Sequence, residues 1–245
     1  MEPISPELGQ GASVALVETC RVARGRVPLW PWHRARLESG GVSAAVLAEA
    51  EERIAEAAEP WGDAATHRAR LTLVVAPSGL VTVDVEQRLS SLDVPNGPIV
   101  ARVDVSDLPP LPTPSAKPAD RSWWDAAHKR ARTLGAHQAV LVGLDGMIVD
   151  GSTSAVWIRE REVLLTPPSP PAIPSVSVGF VHAQAARMGL DIRVEPIPWW
   201  RFEAAEEAFL SNAFGGAVPV RGRGGELHAL VAELFATAWM TIWRA

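Results

Sequence analysis

The residue of this chain with the clearest potential for covalent chemistry is Lys117. The sequence uses arginine for almost every positive charge, because only two of its 23 lysine and arginine residues are lysine. An arginine guanidinium stays charged and cannot form an imine with an aldehyde, whereas a lysine amine can once its pKa is lowered by burial or by nearby charge. Lys129 lies in the basic run 128–130 and fits an ordinary surface charge. Lys117, between a proline-rich stretch and a predicted helix, is the candidate.

Three other features are ordinary when each is taken alone. Arg36 could be a surface arginine of a helix, and Asp150 could be a turn residue before Gly151. The segment Ser175-Val176-Ser177 is the predicted start of a helix, where backbone N–H groups have no partner inside the helix.

Composition excludes several classes of protein. Hydrophobic residues make up 47% of the 245 residues and charged residues 21%, which is typical of a globular protein. The net charge of −5 and the scattered arginines argue against a nucleic-acid partner. No apolar run approaches the ~18 residues of a membrane span, and the N-terminus has no signal-peptide pattern. The single Cys20 excludes an internal disulfide and a cysteine zinc cluster. We therefore expect a cytoplasmic protein with no membrane partner and no metal.

The first half of the chain is predicted to be a sheet with helices packed on it. Ser43 is expected to cap a helix whose apolar residues recur at helical spacing. Two alternating segments joined by Pro77-Ser78-Gly79 predict a β-hairpin. The predicted elements are a strand over 13–22, helices over 31–39 and 44–58, strands over 70–76 and 80–87, and a further strand over 99–105.

A proline-rich stretch over 108–115 marks the clearest boundary and predicts an extended linker. Strands and helices follow it, separated by Asp145-Gly146 and Gly151-Ser152, which are typical of turns. The predicted elements are a helix from 120 or 122 to 134, strands over 138–143, 147–150, 155–158 and 163–165, a helix over 177–188, a strand ending at 195, a helix over 201–208, and a last helix from 225 to the end.

Several motifs, taken in order, resemble the class IV aminotransferase family. These are the fold-type-IV pyridoxal-phosphate enzymes, which include aminodeoxychorismate lyase and the branched-chain and D-amino-acid aminotransferases. His33-Arg-Ala-Arg36-Leu37 resembles the family's H-x-x-R-L segment, and Leu144-Asp-Gly146-Met-Ile-Val-Asp150-Gly-Ser-Thr-Ser154 resembles its signature of an acidic residue before Gly-Ser-Thr-Ser. The stretches 17–25, 166–167, 205–212 and 218–220 resemble other landmarks of the family. Their order and spacing make the resemblance specific.

The resemblance implies that the cofactor is pyridoxal 5′-phosphate. Lys117 is then the Schiff-base lysine, and its amine also moves the α-proton of the substrate as general base and acid. Arg36 binds the cofactor phosphate, and Asp150 keeps the pyridine nitrogen protonated so that the ring accepts electrons. The further cofactor contacts that we assign on this basis are Val176, Ser177 and Ala213.

The resemblance also implies an architecture and an assembly. The fold class is α+β / α/β, in the two-domain architecture of the fold-type-IV enzymes. We expect an N-terminal α+β domain over 1–107, a linker over 108–116, and a C-terminal α/β domain over 117–245 that carries Lys117. The site of this family is built at a subunit boundary, so we expect a homodimer, with exposed tryptophan pairs such as Trp123-Trp124 as aromatic anchors.

Three functions stay open at this point. We favour an aminodeoxychorismate-lyase-like enzyme, because the chain is short and the stretch 210–220 looks closer to that branch. A class IV transaminase acting on branched-chain or D-amino acids would need the same lysine and a similar small, amino-acid-like substrate. A non-catalytic relative without cofactor is the third, because Ala155 stands for the family's asparagine and Val178 for its arginine. The chain also has no tyrosine, so Trp123 or Trp124 is the candidate for the place where several members set a tyrosine over the cofactor.

Overall fold

The computed structural model describes residues 14–62, 69–109 and 115–240. The described residues form three β-sheets and six α-helices. None of the helices in these ranges is long and apolar enough to cross a membrane.

The first sheet is an antiparallel meander covered by two helices. Its elements are β1 (Leu16–Val22), α1 (Trp30–Ser39), α2 (Ala44–Ala58), β2 (Ala69–Val75) and β3 (Val81–Gln87). In β1 and β2 every second residue is buried, because successive side chains of a strand point to opposite faces. The buried face of the sheet packs on α2 through Leu47 and Ile54, and Cys20 lies wholly inside this core. The predicted hairpin and the predicted Ser43 cap are both confirmed.

The other strands form a three-stranded sheet, β4-β5-β6, and a five-stranded sheet, β11-β10-β7-β8-β9. The elements are β4 (Val100–Asp104), α3 (Ser122–Thr133), β5 (Gln138–Val142), β6 (Ile148–Gly151), β7 (Ala155–Glu160), β8 (Val163–Thr166), α4 (Val176–Met188), β9 (Asp191–Val194), α5 (Trp199–Ala204), β10 (Glu207–Asn212), β11 (Gly216–Pro219) and α6 (Glu226–Met240). The strand β4 belongs to the first half in sequence and yet pairs in parallel with β5 of the second half.

The chain returns to the first sheet directly after the proline-rich stretch. Residues 110–114 of the predicted linker lie outside the described residues. Beyond them, the backbone carbonyl of Lys117 accepts a hydrogen bond of 2.9 Å from the N–H of Val17, and the N–H of Ala119 donates to the carbonyl of Ala15 at 2.7 Å. This short antiparallel pairing brings Lys117 against β1, although 98 residues separate it in sequence from Thr19 on that strand.

One predicted element is wrong in part. The helix predicted over 201–208 ends at Ala204, because Ala205 has extended backbone angles and β10 begins at Glu207. Strand β10 is almost wholly buried, since it pairs with β7 on one side and with β11 on the other. A short apolar run such as Ala208-Phe209-Leu210 fits a helix or a buried strand equally well, so its sheet partners decide its structure.

Candidate active site

One cavity of about 490 Å³ is lined by the six residues that the family resemblance assigns to the cofactor and its chemistry. Its volume lies within the range of roughly 300–1,000 Å³ that is usual for small-molecule sites. Its walls come from β1, α1, the start of α3, the end of β6, the start of α4 and the turn after β10. The six residues are Lys117, Arg36, Asp150, Val176, Ser177 and Ala213.

The amine of Lys117 is held beside the first sheet. Its Nζ donates a hydrogen bond of 2.9 Å to Oγ1 of Thr19, in the middle of β1. Removal from bulk water and, to a lesser extent, the guanidinium of Arg36 together lower the pKa of Lys117 to about 7, against the opposing effect of Glu18. An amine with this pKa is in large part unprotonated near neutral pH, as the attack of an amine on an aldehyde requires.

A buried carboxylate, Glu18, holds Arg36 in place. Nε of Arg36 donates to Oε1 of Glu18 at 2.8 Å, Nη2 donates to Oε2, and Nη1 donates to the carbonyl of Pro174 at 2.8 Å. A guanidinium has five N–H bonds, so Nη1 and Nη2 each keep one for a ligand. Arg36 therefore ties β1 to the segment before α4 while its outer edge lines the cavity.

His33 completes this cluster on its inner side. Its Nδ1 lies 2.6 Å from Oε2 of Glu18, and burial lowers the pKa of His33. The imidazole is therefore neutral and donates its Nδ1–H to the carboxylate. Burial alone would raise the pKa of Glu18, but the Arg36 guanidinium and His33 outweigh it and lower that pKa to about 2. Glu18 is thus ionised at neutral pH, although it is completely buried.

The start of α4 forms the wall of the cavity next to Arg36. The first N–H groups of a helix have no partner inside the helix, and the partial positive charge there favours anions. Ser175 is the N-cap, whose Oγ accepts from the N–H of Val178, while Val176 and Ser177 line the cavity. This end of α4 and the outer edge of Arg36 could hold a phosphate between them.

A chain of hydroxyl groups fixes Ser177 from the core outward. Nε1 of Trp157 donates to Oγ of Ser211 at 2.8 Å, and Oγ of Ser211 donates to Oγ of Ser177 at 2.9 Å. The Oγ of Ser175 lies 2.9 Å from that of Ser177. The start of α4 is thereby tied to β7 and β10 of the five-stranded sheet.

We expect the Ser175→Ala variant to lose about 1 kcal/mol of the free energy of unfolding, because the N-cap hydrogen bond disappears. Ser43→Ala is a matched control, since Oγ of Ser43 caps α2 with the same 3.4 Å contact far from the cavity. Urea denaturation should give similar losses for both variants. Only Ser175→Ala should also weaken the binding of pyridoxal phosphate, and an equal loss of binding in both would contradict the assignment of α4.

Asp150 lies at the end of β6 and faces both the main cavity and a smaller one of about 220 Å³. Its Oδ1 accepts a hydrogen bond of 2.8 Å from the N–H of Gly151, and the backbone of Ile173 donates another. Burial raises the pKa of Asp150 to about 7, while these hydrogen bonds and the Arg121 guanidinium oppose the rise. A cationic ligand group beside Asp150 would favour its ionised form.

We expect Asp150→Asn to stabilise the cofactor-free protein at high pH. The folded-state pKa of about 7 lies above the reference value of 3.8, so the unfolded chain releases this proton first. The free energy of unfolding of the wild type therefore falls as the pH rises from about 4 to about 7, and it stays lowered above that range. Asparagine has no such proton, so the variant should gain up to about 4 kcal/mol near pH 8 and little near pH 4. Denaturation at both pH values checks this, and equal gains would contradict it.

Sequence reasoning missed Arg121 as a residue of this cavity. Arg121 precedes α3, and its guanidinium lies 4.0 Å from the centre of the Trp124 ring. The i, i+3 spacing of these two residues was the available signal, because it sets them on one face of a helix. Of the two tryptophans proposed for the space of the family's tyrosine, Trp124 lines the cavity, while Nε1 of Trp123 donates to the carbonyl of Pro109.

The expectation of exposed tryptophan pairs is wrong for α3. Trp123 and Trp124 are both buried, because they pack edge to face on each other and on the core between α3, β4 and β5. Among the paired tryptophans, which all lie within the described residues, Trp200 is the exposed one.

The donors of this cavity fit pyridoxal phosphate. Lys117 offers an amine of lowered pKa, Arg36 and the start of α4 offer donors for a phosphate, and Asp150 offers an acid for a ring nitrogen. The Nη1 of Arg121 is buried without a hydrogen-bond partner in the described part of the chain, as expected where a ligand supplies the acceptor.

The chain belongs to the amino-transferase class IV family, whose sequence pattern matches residues 15–222. The enzymes of this family use pyridoxal phosphate, so the predicted family, enzyme class and cofactor are confirmed. A probable branched-chain-amino-acid aminotransferase from Thermotoga maritima is 27% identical over 157 residues. That match covers 62% of this chain and spans 56% of the length of the Thermotoga protein.

Solved structures share the fold over nearly the whole chain. The pyridoxal-phosphate-bound form of a hypothetical aminotransferase from Mycobacterium tuberculosis has a TM-score of 0.79 at 20% identity, and the match covers 97% of this chain and 95% of that one. A protein assigned as a 4-amino-4-deoxychorismate lyase has a TM-score of 0.70 at 21% identity, with 95% of each chain covered. These likenesses confirm the predicted fold-type-IV architecture.

Proposed function

We propose that this protein is a pyridoxal-phosphate-dependent enzyme acting on a small amino-acid-like substrate, with Lys117 as the residue that binds the cofactor covalently and moves the substrate proton. The observation that carries the proposal is the placement of Lys117. It is a partly buried amine with a pKa near 7 on the same cavity as a phosphate cradle and a partly buried acid. When bound, pyridoxal phosphate supplies an aldehyde for the substrate amine and a ring that accepts the electrons left when the α-proton departs.

The residues of the cavity divide this work. Arg36 and the N–H groups of Val176 and Ser177 hold the phosphate, with Ala213 lining the same wall. Asp150 holds a proton at the ring nitrogen, and its seclusion from water strengthens that contact. Lys117, once its amine is released by the substrate, is free to take the α-proton and to return it to a second atom. Thr19 keeps the amine oriented through their hydrogen bond.

For the particular reaction, we propose aminodeoxychorismate-lyase-like chemistry. Lys117 takes the proton from the carbon that bears the amino group, the C–O bond to the enolpyruvyl group breaks, and the departing enolpyruvate takes up a proton to become pyruvate. The ring product is 4-aminobenzoate. The support is the stretch 210–220, which resembles the lyase branch and whose Ser211, Asn212, Ala213 and Phe214 line the cavity.

A class IV transaminase is the second candidate, because the curated relative that this chain resembles is a probable branched-chain aminotransferase. Here Lys117 would return the proton to a different carbon from the one it came from, the substrate would leave as a 2-oxo acid without its amino group, and a second 2-oxo acid would accept that amino group. The two candidates use the same lysine and differ in what happens to the substrate carbon skeleton.

Product analysis separates the candidates. Purified protein is mixed with pyridoxal phosphate and then incubated either with aminodeoxychorismate or with branched-chain and D-amino acids plus 2-oxoglutarate. The lyase proposal predicts pyruvate and 4-aminobenzoate in equal amounts from the first mixture and no glutamate from the second. Glutamate formation without 4-aminobenzoate would replace the lyase by the transaminase, and no product from either mixture in a protein that binds no cofactor would favour the non-catalytic relative.

We also propose that the working protein is a homodimer, as the family resemblance implies. Sedimentation velocity on the cofactor-loaded protein tests this point, since a monomer at working concentration would contradict it.

A further inference from the structure

Three buried side-chain atoms on the wall of the main cavity have no hydrogen-bond partner among the described residues. They are Nε of Arg70, Nη1 of Arg121 and Oγ of Ser154. Buried polar groups are almost always hydrogen-bonded, so donors left without an acceptor beside a cavity indicate where a ligand atom belongs. The guanidinium of Arg70 is already committed, because its Nη2 is bonded to Glu86. Arg121 is the donor with the most to gain from a ligand.

The surroundings of Arg121 hold its guanidinium at a fixed place. Its backbone is the N-cap of α3, and its guanidinium carbon lies 4.0 Å from the ring centre of Trp124. Trp124 is buried and in turn packs edge to face on Trp123 at 5.5 Å between ring centres. A guanidinium stacked on a fixed aromatic ring loses little conformational freedom when it binds an anion.

Arg121 also lies close to both reactive ends of the site. Its charge lowers the pKa of Lys117 and lowers that of Asp150, so it acts on the amine and on the acid together. Burial lowers the pKa of Arg121 itself to about 10, which leaves it charged at neutral pH. Its nearest acids, Asp150 and Asp125, make no hydrogen bond with it in the described structure, so its charge is incompletely neutralised.

We infer that Arg121, stacked on Trp124, is a ligand-binding residue whose guanidinium holds an anionic oxygen between Lys117 and Asp150. This inference rests on the proposed function. Two ligands could supply the oxygen, because pyridoxal phosphate carries a phenolic oxygen on the ring carbon next to its aldehyde carbon and the substrate carries a carboxylate. Both are acceptors for a charged donor of this kind.

Binding measurements on two variants test the inference. Arg121→Met keeps much of the packing on Trp124 and removes the charge, whereas Arg121→Lys keeps the charge and removes the fork. The matched control is Arg88→Met, because Arg88 lines the same cavity but is exposed and paired with Glu86. For each protein we would measure the affinity for pyridoxal phosphate by absorbance titration. The affinity of the loaded protein for 2-oxoglutarate and for 4-aminobenzoate would be measured by calorimetry.

We expect Arg121→Met to weaken one of these affinities by about 10- to 100-fold, Arg121→Lys to recover part of the loss, and Arg88→Met to change either by less than about threefold. Weakened binding of pyridoxal phosphate assigns the oxygen to the cofactor, and weakened binding of the carboxylates alone assigns it to the substrate. Changes within about threefold for both ligands in both Arg121 variants would overturn the inference. Should Arg121→Met not fold, Arg121→Lys is compared with Arg88→Met in the same way.

The experiments distinguish an error in the proposed function from an error in this inference. A wild-type protein that forms no borohydride-reducible adduct with pyridoxal phosphate would remove the proposed function and the inference with it. A wild type that forms the adduct, beside Arg121 variants that bind every probe normally, would remove the inference alone.

Discussion

The Lys117→Ala variant is expected to lose the absorbance band that pyridoxal phosphate gives with the wild-type protein, and to lose catalytic activity by roughly 10³-fold or more. Covalent attachment and proton transfer both depend on this amine, and proton transfer alone contributes about 10²- to 10⁴-fold in enzymes. Folding should be retained, because the variant removes a partly buried amine whose environment lowers its pKa and so disfavours its charged form. The absorbance spectrum with added cofactor, and the rate with substrate, measure the two effects.

Lys129→Ala is the matched control, because Lys129 is the other lysine of the sequence and lies exposed on α3. It should leave the band and the rate unchanged. A band that persists in Lys117→Ala and disappears in Lys129→Ala would reverse the assignment. The thermal midpoint of both variants must be recorded, so that loss of the band is not confused with loss of the fold.

Glu18→Ala is expected to lower the free energy of unfolding by about 3–5 kcal/mol. Glu18 is completely buried and accepts hydrogen bonds from Arg36 and from His33, so its removal leaves a guanidinium without its counter-ion. Breaking a buried ion pair from one side has this cost, because the remaining charge stays desolvated. Urea denaturation of the cofactor-free protein measures it.

Glu49→Ala is the control for this result, because Glu49 forms an exposed i, i+4 ion pair with Arg53 on α2. Surface pairs of this kind contribute at most about 1 kcal/mol. A loss for Glu18→Ala as small as that for Glu49→Ala would contradict the structural role of the buried cluster.

The carboxylate of Glu18 should also make the free energy of unfolding depend on pH. Its pKa in the folded protein is about 2, below the reference value of 4.5, so the unfolded chain takes up this proton first as the pH falls. The stabilisation by Glu18 is therefore complete above about pH 5 and is lost progressively between about pH 5 and pH 2. The difference in stability between the wild type and Glu18→Ala should shrink over that interval, and a constant difference would contradict the ion pair.

Much of the fold follows from local patterns in the sequence. Ser43 with its following apolar spacing, and the alternation around Pro77-Ser78-Gly79, fix α2 and the β2–β3 hairpin through interactions within a few residues. Strand β10 was missed because it lies between two other strands in the sheet. One of them, β11, follows it directly, but the other, β7, lies far from it in sequence. The pairing of β4 with β5 across the proline-rich stretch is likewise a long-range choice that no local pattern encodes.

The candidate site shows the same division. The family motifs pointed to Lys117, Arg36 and Asp150, and the structure brings these three onto one cavity. The motifs do not predict which neighbouring side chains hold these three residues in position. Glu18 is 18 residues from Arg36 in sequence, and only the packing of α1 on β1 reveals that it holds the guanidinium. The role of Arg121 rests on an aromatic contact and on an unpaired donor, both of which require coordinates.

The most direct test of the central claim is a peptide map of the wild-type protein after incubation with pyridoxal phosphate and reduction with borohydride. The proposed function predicts a single modified peptide, the one that contains Lys117, with Lys129 unmodified. A label distributed over Lys129 and the N-terminal amine, or no label at all on Lys117, would contradict the claim that this chain binds its cofactor through Lys117.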